Sequence, residues 1–489
     1  MMSRRTMVRR ILASFCPRHQ PWITRQSYTY EMVTAMTMPI AVSLLEGGVI
    51  GVLARKAFGV PPLLFATIMA APMFANLTSL LWAALARGRR KVRFITTLQF
   101  LTLLTVASIA LLPVSTAGSV LLTAVTVLSR CLLSGIVTIR SAIWRMNYPR
   151  SQRAQVTGRL VILSSLIVTV TPLAGYSLLD FNPDSFRFLY PAGALIAIIG
   201  VIAFTRVRLR GERELLRFER SSNAQPHPRG IPGPIYEFDP EEPAEVLHNF
   251  WTVLRQDHLF RRYLQWQFLG GMSMMAGETA VVYLIAEELT KKLPFEYLTA
   301  VLLTVGIPSV VAMLTVPLWA RYLDRTHVIR FRARQGWFWV LGQAAQWAAA
   351  WTASASEHSV GAALVLLGAA RVVVGLIRGG GILAWTLGHN DFADRRMVAL
   401  YMGIHVTLTG VRGAIAPFLA IILYVGWNPL FIPGTGLTLP GFTGMQGHVF
   451  GLTTGLAVIA LAGFLHLSRS VPRPSERPGA PPPSEPSKP

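Results

Sequence analysis

Four ionisable residues stand inside long apolar segments of this 489-residue chain, where a charge is costly: Glu46, Arg130, Glu278 and Arg371. Each half of the chain holds one acid and one arginine, and the second pair follows the first by 232 and 241 residues. A charge in the middle of a bilayer is disfavoured unless it faces a partner, a water-filled cavity or a bundle interior, so it predicts a functional site. Its repetition indicates two related helical bundles around one cavity, the plan of a secondary transporter.

Paired acids and arginines of this kind support proton transfer. An arginine beside a glutamate favours the charged carboxylate, whereas removal from water favours the protonated acid. An acid whose surroundings alternate can therefore load a proton on one side of a membrane and release it on the other. We expect Glu46 to pair with Arg130 and Glu278 with Arg371, with proton coupling through one of the acids. The arginines would be counter-ions or anchors for an anionic substrate group. The alternative is that each pair is a buried salt bridge that only fixes helix register.

The composition predicts a membrane protein with many spans. Hydrophobic residues reach 52% and charged residues only 14%, against roughly 25% charged residues in soluble domains. The mean hydropathy is +0.46. Apolar stretches of about 20 residues are long enough to cross a bilayer as helices. Twelve such spans are predicted, at 33–54, 61–86, 94–113, 118–140, 158–179, 187–205, 263–287, 297–320, 335–354, 359–386, 399–424 and 447–467. The predicted fold class is an all-α integral membrane protein.

The net charge of +23 follows the order of the spans. Arginine clusters occur at 4–25, 87–93, 140–159, 206–220, 321–334, 395–396 and 469–477, whereas the intervening connections near 114–118, 180–186, 355–359 and 425–447 are almost free of basic residues. This alternation is typical of the positive-inside rule and predicts that both termini are cytoplasmic, in a bacterial-type plasma (inner) membrane. It therefore argues against nucleic acid as a partner. The two cysteines, Cys16 and Cys131, predict no disulfide framework.

The predicted organisation has five parts. They are a basic cytoplasmic tail (1–32), a six-helix bundle (33–205), a cytoplasmic linker with an amphipathic helix (206–262), a second six-helix bundle (263–468) and a Pro/Ser-rich disordered tail (469–489). Short landmarks recur in order in the two bundles, because Leu81-Trp-Ala83 matches Leu318-Trp-Ala320 and Trp144 matches Trp385. With the charged pairs, these landmarks indicate duplication of a six-helix unit.

The loop after the eighth span resembles a motif of the major facilitator superfamily. The segment 317–326, Pro-Leu-Trp-Ala-Arg-Tyr-Leu-Asp-Arg-Thr, ends in the Asp-Arg pair that this family has after the second helix of a bundle. The resemblance implies that Asp324 and Arg325 bond to neighbouring helix ends and form a conformational gate. The first-half copy, at 85–91, keeps the basic cluster but has no aspartate.

Two further segments are similar to antiporter motifs of the same family. Arg371-Val-Val-Val-Gly375 resembles the arginine motif of drug antiporters, and 171–175 resembles part of their fifth-helix motif. The resemblance implies two pseudo-symmetric six-helix bundles whose first, fourth, seventh and tenth helices line a central cavity. It implies transport by alternating access, with proton-coupled efflux as the first expectation.

Other polar or flexible residues complete the candidate site. His405 and Arg412, in the eleventh span, are candidates for the cavity or for helix packing. Three consecutive glycines, Gly379, Gly380 and Gly381, predict a hinge or a tight packing point in the tenth span. The segment 388–391, Gly-His-Asn-Asp, offers a possible metal site, but a loop that holds helix ends together fits so few ligands better.

The sequence thus predicts a transporter of a small, polar or ionisable organic molecule, with protons and the lipid bilayer as its other partners. We expect a monomer without cofactor or metal. The alternatives are a proton-coupled uptake symporter and a transport-inactive relative that acts as a sensor or assembly partner. An enzyme is not expected, because no nucleophile–base constellation or phosphate-binding loop is present in the sequence.

Overall fold

The computed structural model describes residues 16–19, 22–221, 243–291, 293–355, 359–393, 398–431 and 438–471. The chain divides into two compact units, 1–239 (unit 1) and 240–489 (unit 2), which are described separately. Both units are helical, because a segment inside the bilayer has no water to bond to and a helix satisfies all of its backbone hydrogen bonds within the segment. The Pro/Ser-rich tail that the sequence predicts lies mostly outside the described residues.

The described part of unit 1 contains nine α-helices. They are α1 (Trp22–Ser43), α2 (Gly47–Lys56), α3 (Pro62–Leu77), α4 (Ser79–Ala86), α5 (Lys91–Ser108), α6 (Thr116–Asn147), α7 (Arg150–Phe181), α8 (Phe186–Thr205) and α9 (Glu212–Ser221). The first predicted span is broken, since α1 ends before Glu46 and α2 begins after it. Gly47 and Gly48 follow Glu46, and glycine lowers helix stability. The second predicted span is likewise interrupted between α3 and α4, at Thr78.

Unit 2 has eight described helices and one small hairpin. The helices are α10 (Pro243–Gln256), α11 (His258–Leu284), α12 (Glu296–Val301), α13 (Ile307–Arg325), α14 (Val328–Ala355), α15 (Val360–Leu387), α16 (Val398–Val425) and α17 (Val449–Ser468). Two π-helical turns extend this set, Ile285–Leu289 after α11 and Leu302–Gly306 between α12 and α13. Strand β1 (Leu430–Phe431) pairs antiparallel with β2 (Thr438–Leu439), and these are the only strands in the described parts of the chain.

The same five helix pairs pack in both units. In unit 1, α1 packs on α7 and α8, α6 packs on α3 and α5, and α5 packs on α8. In unit 2, α11 packs on α16 and α17, α15 packs on α13 and α14, and α14 packs on α17. Each pair in one unit joins the spans that correspond to those joined in the other. This equivalence supports the duplication that the sequence landmarks predict.

Ten helical segments of the described chain are long and apolar enough to cross a bilayer. Two predicted spans fall outside this set. The span at 61–86 contains α3, which has only 16 residues. The span at 335–354 lies in α14 and contains three glutamines, Gln335, Gln343 and Gln346, which lower its mean hydropathy. Large apolar side chains such as Leu195 and Val365 are exposed on the spans, as expected of surfaces in contact with lipid. The chain is a multi-span membrane protein, and the count of twelve stays a prediction.

The linker that the sequence predicts contains a helix on each side of its undescribed part. Helix α10 ends at Gln256, and Asp257 caps α11 by accepting a hydrogen bond from the Phe260 amide (2.8 Å). Val253 of α10 is buried against the core of unit 2, which also contains Phe331. At least this end of α10 is therefore packed on the bundle.

Candidate functional site

The acid and arginine of unit 2 form a two-pronged ion pair. Arg371 Nη1 lies 2.9 Å from Glu278 Oε2, and Arg371 Nη2 lies 2.7 Å from Glu278 Oε1. Helix α11 carries the acid and α15 the arginine. Two parallel charge-assisted bonds fix both position and orientation, so this is the strongest form that such a pair takes.

Backbone carbonyls complete the surroundings of Arg371. Its Nε donates to the Leu303 carbonyl (2.8 Å) and its Nη2 to the Thr304 carbonyl (3.1 Å). Both carbonyls belong to the π-helical turn Leu302–Gly306, where the wider winding disturbs the usual α-helical bonding and leaves acceptors for a side chain. The guanidinium is fully buried, and these four contacts give it charged and neutral acceptors.

A second arginine joins this cluster and was not among the residues selected from the sequence. Arg378 Nη2 donates to Glu278 Oε1 at 3.0 Å. Arg378 follows Arg371 by seven residues, which is two helical turns, so both lie on one face of α15. That spacing was the available sequence signal. The cluster of Glu278, Arg371 and Arg378, called here the α15 cluster, has one acid and two guanidinium groups and hence one excess positive charge.

The acid and arginine of unit 1 also meet, in a looser arrangement. Arg130 Nη2 lies 3.3 Å from Glu46 Oε2 and also donates to the Leu45 carbonyl. The carbonyl is accessible because the first span is broken there. The Glu46 side chain is 47% exposed, whereas that of Glu278 is 25% exposed. The pair in unit 1 is therefore partly solvated and has no second arginine among its described contacts.

The most enclosed carboxylate among the described residues of unit 1 is Glu31 of α1, which lies two residues before the start of the first predicted span. Arg140 donates to Glu31 Oε2 through Nε (3.3 Å) and Nη2 (3.2 Å), and Trp144 Nε1 donates to the same oxygen. Tyr148 donates its hydroxyl proton to Glu31 Oε1 (2.9 Å). The other three residues lie near the end of α6 at intervals of four, a helical spacing that could have been read from the sequence.

Tyr148 lies beyond the last residue of α6 and is buried. Burial, reinforced by the negative charge of Glu31, raises the pKa of the Tyr148 hydroxyl well above its usual value. The hydroxyl therefore stays neutral and remains a hydrogen-bond donor to Glu31. Glu31, Arg140, Trp144 and Tyr148 are called here the Glu31 group. Both carboxylate oxygens of Glu31 accept hydrogen bonds from the other three side chains.

His405 and Arg412 are both buried on α16, and neither is among the described contacts of Glu278. Arg412 Nη1 donates to the Gln267 carbonyl of α11. Gly271 allows this approach, because a Cβ there would lie 2.2 Å from Arg412 Cζ. No described hydrogen bond or ion pair joins either residue to Glu278, so the structure brings four of the predicted cavity residues together as pairs and leaves these two elsewhere.

The three glycines of the tenth span lie in an unbroken part of α15. A Cβ at Gly379 would meet Thr315 Oγ1 at 2.5 Å, and one at Gly380 would meet the Trp319 ring at 2.9 Å. A Cβ at Gly381 would make only ordinary contact, at 3.8 Å. The first two glycines therefore permit close packing of α15 on α13, and the predicted hinge remains a proposal.

The predicted gate residues Asp324 and Arg325 are exposed at the end of α13. Neither forms an ion pair or side-chain hydrogen bond with any described residue. Another carboxylate serves this loop, because Asp391 Oδ2 accepts a hydrogen bond from the Val328 amide (2.6 Å) at the start of α14. Asp391 thus holds a helix end, the role that the sequence analysis preferred for 388–391 over metal binding. Beside it, burial lowers the pKa of His389.

The corresponding loop of unit 1 also takes its carboxylate from elsewhere. Glu219 of α9 accepts hydrogen bonds from the Gly88 amide (2.6 Å) and from the Lys91 ammonium (2.7 Å). Lys91 also donates to the Ala86 carbonyl, and both charged side chains are almost fully buried. The 85–91 segment has no aspartate of its own and instead bonds to a carboxylate from the linker. In the described residues, no three His, Cys, Asp or Glu side chains are grouped as metal ligands would be.

This chain is similar in sequence profile and in fold to known membrane transporters. Residues 30–417 match the profile of the Major Facilitator Superfamily. A mutant of the nucleoside transporter NupG is similar to this chain with a TM-score of 0.61 at 11% identity, covering 91% of this chain and 99% of that one. A POT family transporter in complex with 5-aminolevulinic acid gives 0.61 at 12% identity, covering 91% and 96%. A D-xylose-proton symporter gives 0.58 at 12% identity, covering 93% and 98%. No curated protein matches by sequence.

Proposed function

The chain belongs to the Major Facilitator Superfamily, and from that premise we propose that it is a proton-coupled secondary transporter in which Glu278 carries the proton. Its substrate would be a small organic molecule with an anionic group, and alternating access would move it. We further propose that it works as a monomer in a plasma (inner) membrane with both termini cytoplasmic. The family and the neighbouring structures indicate a transporter rather than an enzyme.

The observation that carries this proposal is the excess charge of the α15 cluster. Glu278 bonds to two guanidinium groups. Arg371 is fully buried and also bonded to carbonyls, while Arg378 is 35% exposed and has Glu278 as its one hydrogen-bond partner among the described residues. Arg371 therefore serves as a fixed counter-ion. Arg378 can exchange Glu278 for another anion without leaving a buried charge unpaired.

Protonation of Glu278 would couple these two events. A neutral Glu278 no longer balances the charge of Arg378, so the guanidinium becomes available to a carboxylate or phosphate group of the substrate. Proton and anionic substrate then bind together, which is the requirement for symport. This geometry favours symport over the efflux by antiport that the sequence analysis expects first, because antiport requires proton and substrate to exclude each other. The D-xylose-proton symporter shows that the fold is compatible with symport.

Reconstituted vesicles test the proposal in two modes. Proton-driven accumulation requires Glu278 to release and accept its proton, whereas exchange of labelled for unlabelled substrate does not require net proton movement. With a panel of small carboxylates and phosphate esters under an imposed pH gradient, we expect the native chain to show both. Glu278→Gln is expected to lose accumulation and keep exchange, and Arg378→Gln to lose both for anionic substrates.

Glu46→Gln is the matched control, because it removes an equivalent acid from the other unit. We expect it to retain accumulation with an unchanged pH profile. Proton-driven accumulation by Glu278→Gln at the native rate would refute the role of Glu278. A folded protein that binds a panel member but moves neither it nor protons would instead indicate the transport-inactive sensor.

A further inference from the structure

Three buried basic side chains lie near one another in unit 2, outside the α15 cluster. Arg332 of α14 is 2% exposed, and His405 and Arg412 of α16 are 3% and 6% exposed. Arg332 and Arg412 both approach α11. A Cβ at Gly271 would lie 2.2 Å from Arg412 Cζ, and a Cβ at Gly270 would lie 2.4 Å from the ring of Trp339, over which Arg332 lies. His405 precedes Arg412 by two helical turns, so both are on one face of α16. The two guanidinium groups carry a charge of +2 whether or not the histidine is protonated, because arginine stays charged in proteins.

The protein offers these arginines neutral partners only. Arg332 Nη1 donates to Gln335 Oε1 (2.6 Å), and its guanidinium lies 5.6 Å from the centre of the Trp339 ring. Arg412 donates to the Gln267 carbonyl. An amide, a carbonyl and an aromatic face accept hydrogen bonds or polarise toward a cation, but they do not cancel its charge.

No described carboxylate pairs with Arg332 or Arg412. Described acids of unit 2 have other partners, since Glu278 bonds to Arg371, Asp391 to the Val328 amide, and Asp257 to the Phe260 amide and the Tyr401 hydroxyl. Three further polar atoms of this region, Arg332 Nε, Arg412 Nε and His405 Nε2, are buried without a hydrogen-bond partner among the described residues. Arg371 shows the contrast, because its buried guanidinium meets both oxygens of a carboxylate.

Two buried guanidinium groups without a counter-charge are unfavourable, which is why buried charges in proteins are paired. We propose that α11, α14 and α16 enclose a binding site for one small inorganic anion, of the size and charge of chloride, held by Arg332, Arg412 and His405. A small spherical ion fits better than a carboxylate or a phosphate ester, because all three side chains are almost closed to solvent. The site is separate from the α15 cluster and does not depend on the transport proposal.

An anion bound there stabilises the folded state in proportion to its concentration. The purified full-length chain would be unfolded thermally at constant ionic strength while sodium chloride replaces sodium gluconate, whose anion is bulky. We expect the Tm to rise with chloride, and to rise with the logarithm of its concentration above the Kd. Bromide should act like chloride. In Arg332→Gln and Arg412→Gln, loss of a charge-assisted contact should weaken the apparent affinity by about tenfold or more.

Arg334→Gln is the matched control, since Arg334 is an exposed residue of the same helix and loses the same charge. It should keep the native chloride dependence. An equal dependence in all variants would indicate a general salt effect and overturn the proposal. If the two variants fail to fold, equilibrium binding of radiolabelled chloride to the native chain decides. Saturation near one ion per chain supports the site, and an absence of saturable binding refutes it.

Discussion

The acid and arginine pairs of the two units have the same sequence signature and different surroundings. In each, an arginine of the unit's fourth predicted span bonds to a glutamate of its first predicted span and to a carbonyl exposed by an irregular backbone. Glu46 is nearly half exposed and meets Arg130 through one contact at 3.3 Å. Glu278 meets Arg371 through two shorter contacts and also meets Arg378. The same two residue types at corresponding positions therefore form sites of different charge and exposure in the two units.

One position accounts for most of the difference in charge. Seven residues after Arg371 stands Arg378, whereas seven residues after Arg130 stands Val137, an exposed apolar residue. Unit 1 therefore has a neutral pair, and unit 2 has a cluster with one excess positive charge. In our proposal, only the second arrangement releases an arginine to an anion while the fully buried arginine keeps its other acceptors.

Removal of the acid from each pair gives the largest expected contrast. In Glu278→Gln, two arginines lose their only carboxylate, and the free energy of unfolding should fall by about 3–5 kcal/mol, as is typical when one partner of a buried pair is removed. In Glu46→Gln, the partly solvated pair should change it by about 1 kcal/mol or less. Thermal unfolding in detergent measures both. Equal losses would show that the difference in exposure has no energetic consequence.

The two pairs were predictable from sequence because they are charges inside apolar segments. The sequence does not show which pair has more contacts, because the number of contacts depends on the break before α2 and on the π-helical turn before α13. Neither irregularity has a hydrophobic signature. Arg378 and Arg332 were missed for a related reason. Arg378 lies two helical turns beyond Arg371, near the end of the predicted span. Arg332 lies in the basic cluster 321–334, which the sequence analysis assigned to membrane orientation.

The Glu31 group sharpens the comparison within unit 1. Glu31 is fully buried and accepts hydrogen bonds from three side chains, so it is more enclosed than Glu278, which is 25% exposed, and than Glu46, which is 47% exposed. Glu31→Gln should lower the free energy of unfolding by about 3 kcal/mol, because the amide nitrogen would face donors where an oxygen accepted them. The loss should exceed that of Glu46→Gln in the same thermal assay.

Tyr148→Phe provides the control for that prediction. It removes one donor and leaves the carboxylate with Arg140 and Trp144, so the expected loss is about 1 kcal/mol. If Glu31→Gln proved no more harmful than Tyr148→Phe, the ion pair with Arg140 would contribute nothing beyond a neutral hydrogen bond. Glu31 was not predicted as a site residue because it lies at the boundary of a span, where an acid does not interrupt an apolar segment.

Smaller effects than those at Glu278 and Glu31 are expected at the loops that follow the second predicted span of each unit. There, carboxylates from other segments bond to equivalent helix ends. Glu219 is almost fully buried and bonds to an ammonium and an amide, whereas Asp391 is partly exposed and its closest described contact is the Val328 amide. We expect Glu219→Gln to lower the free energy of unfolding by about 2 kcal/mol and Asp391→Asn by about 1 kcal/mol. Because Glu219 belongs to the linker, its loss should also free α9, which limited proteolysis between α8 and α10 would detect. Unchanged cleavage in Glu219→Gln would mean that the rest of α9 holds the helix in place, and that the carboxylate only neutralises Lys91.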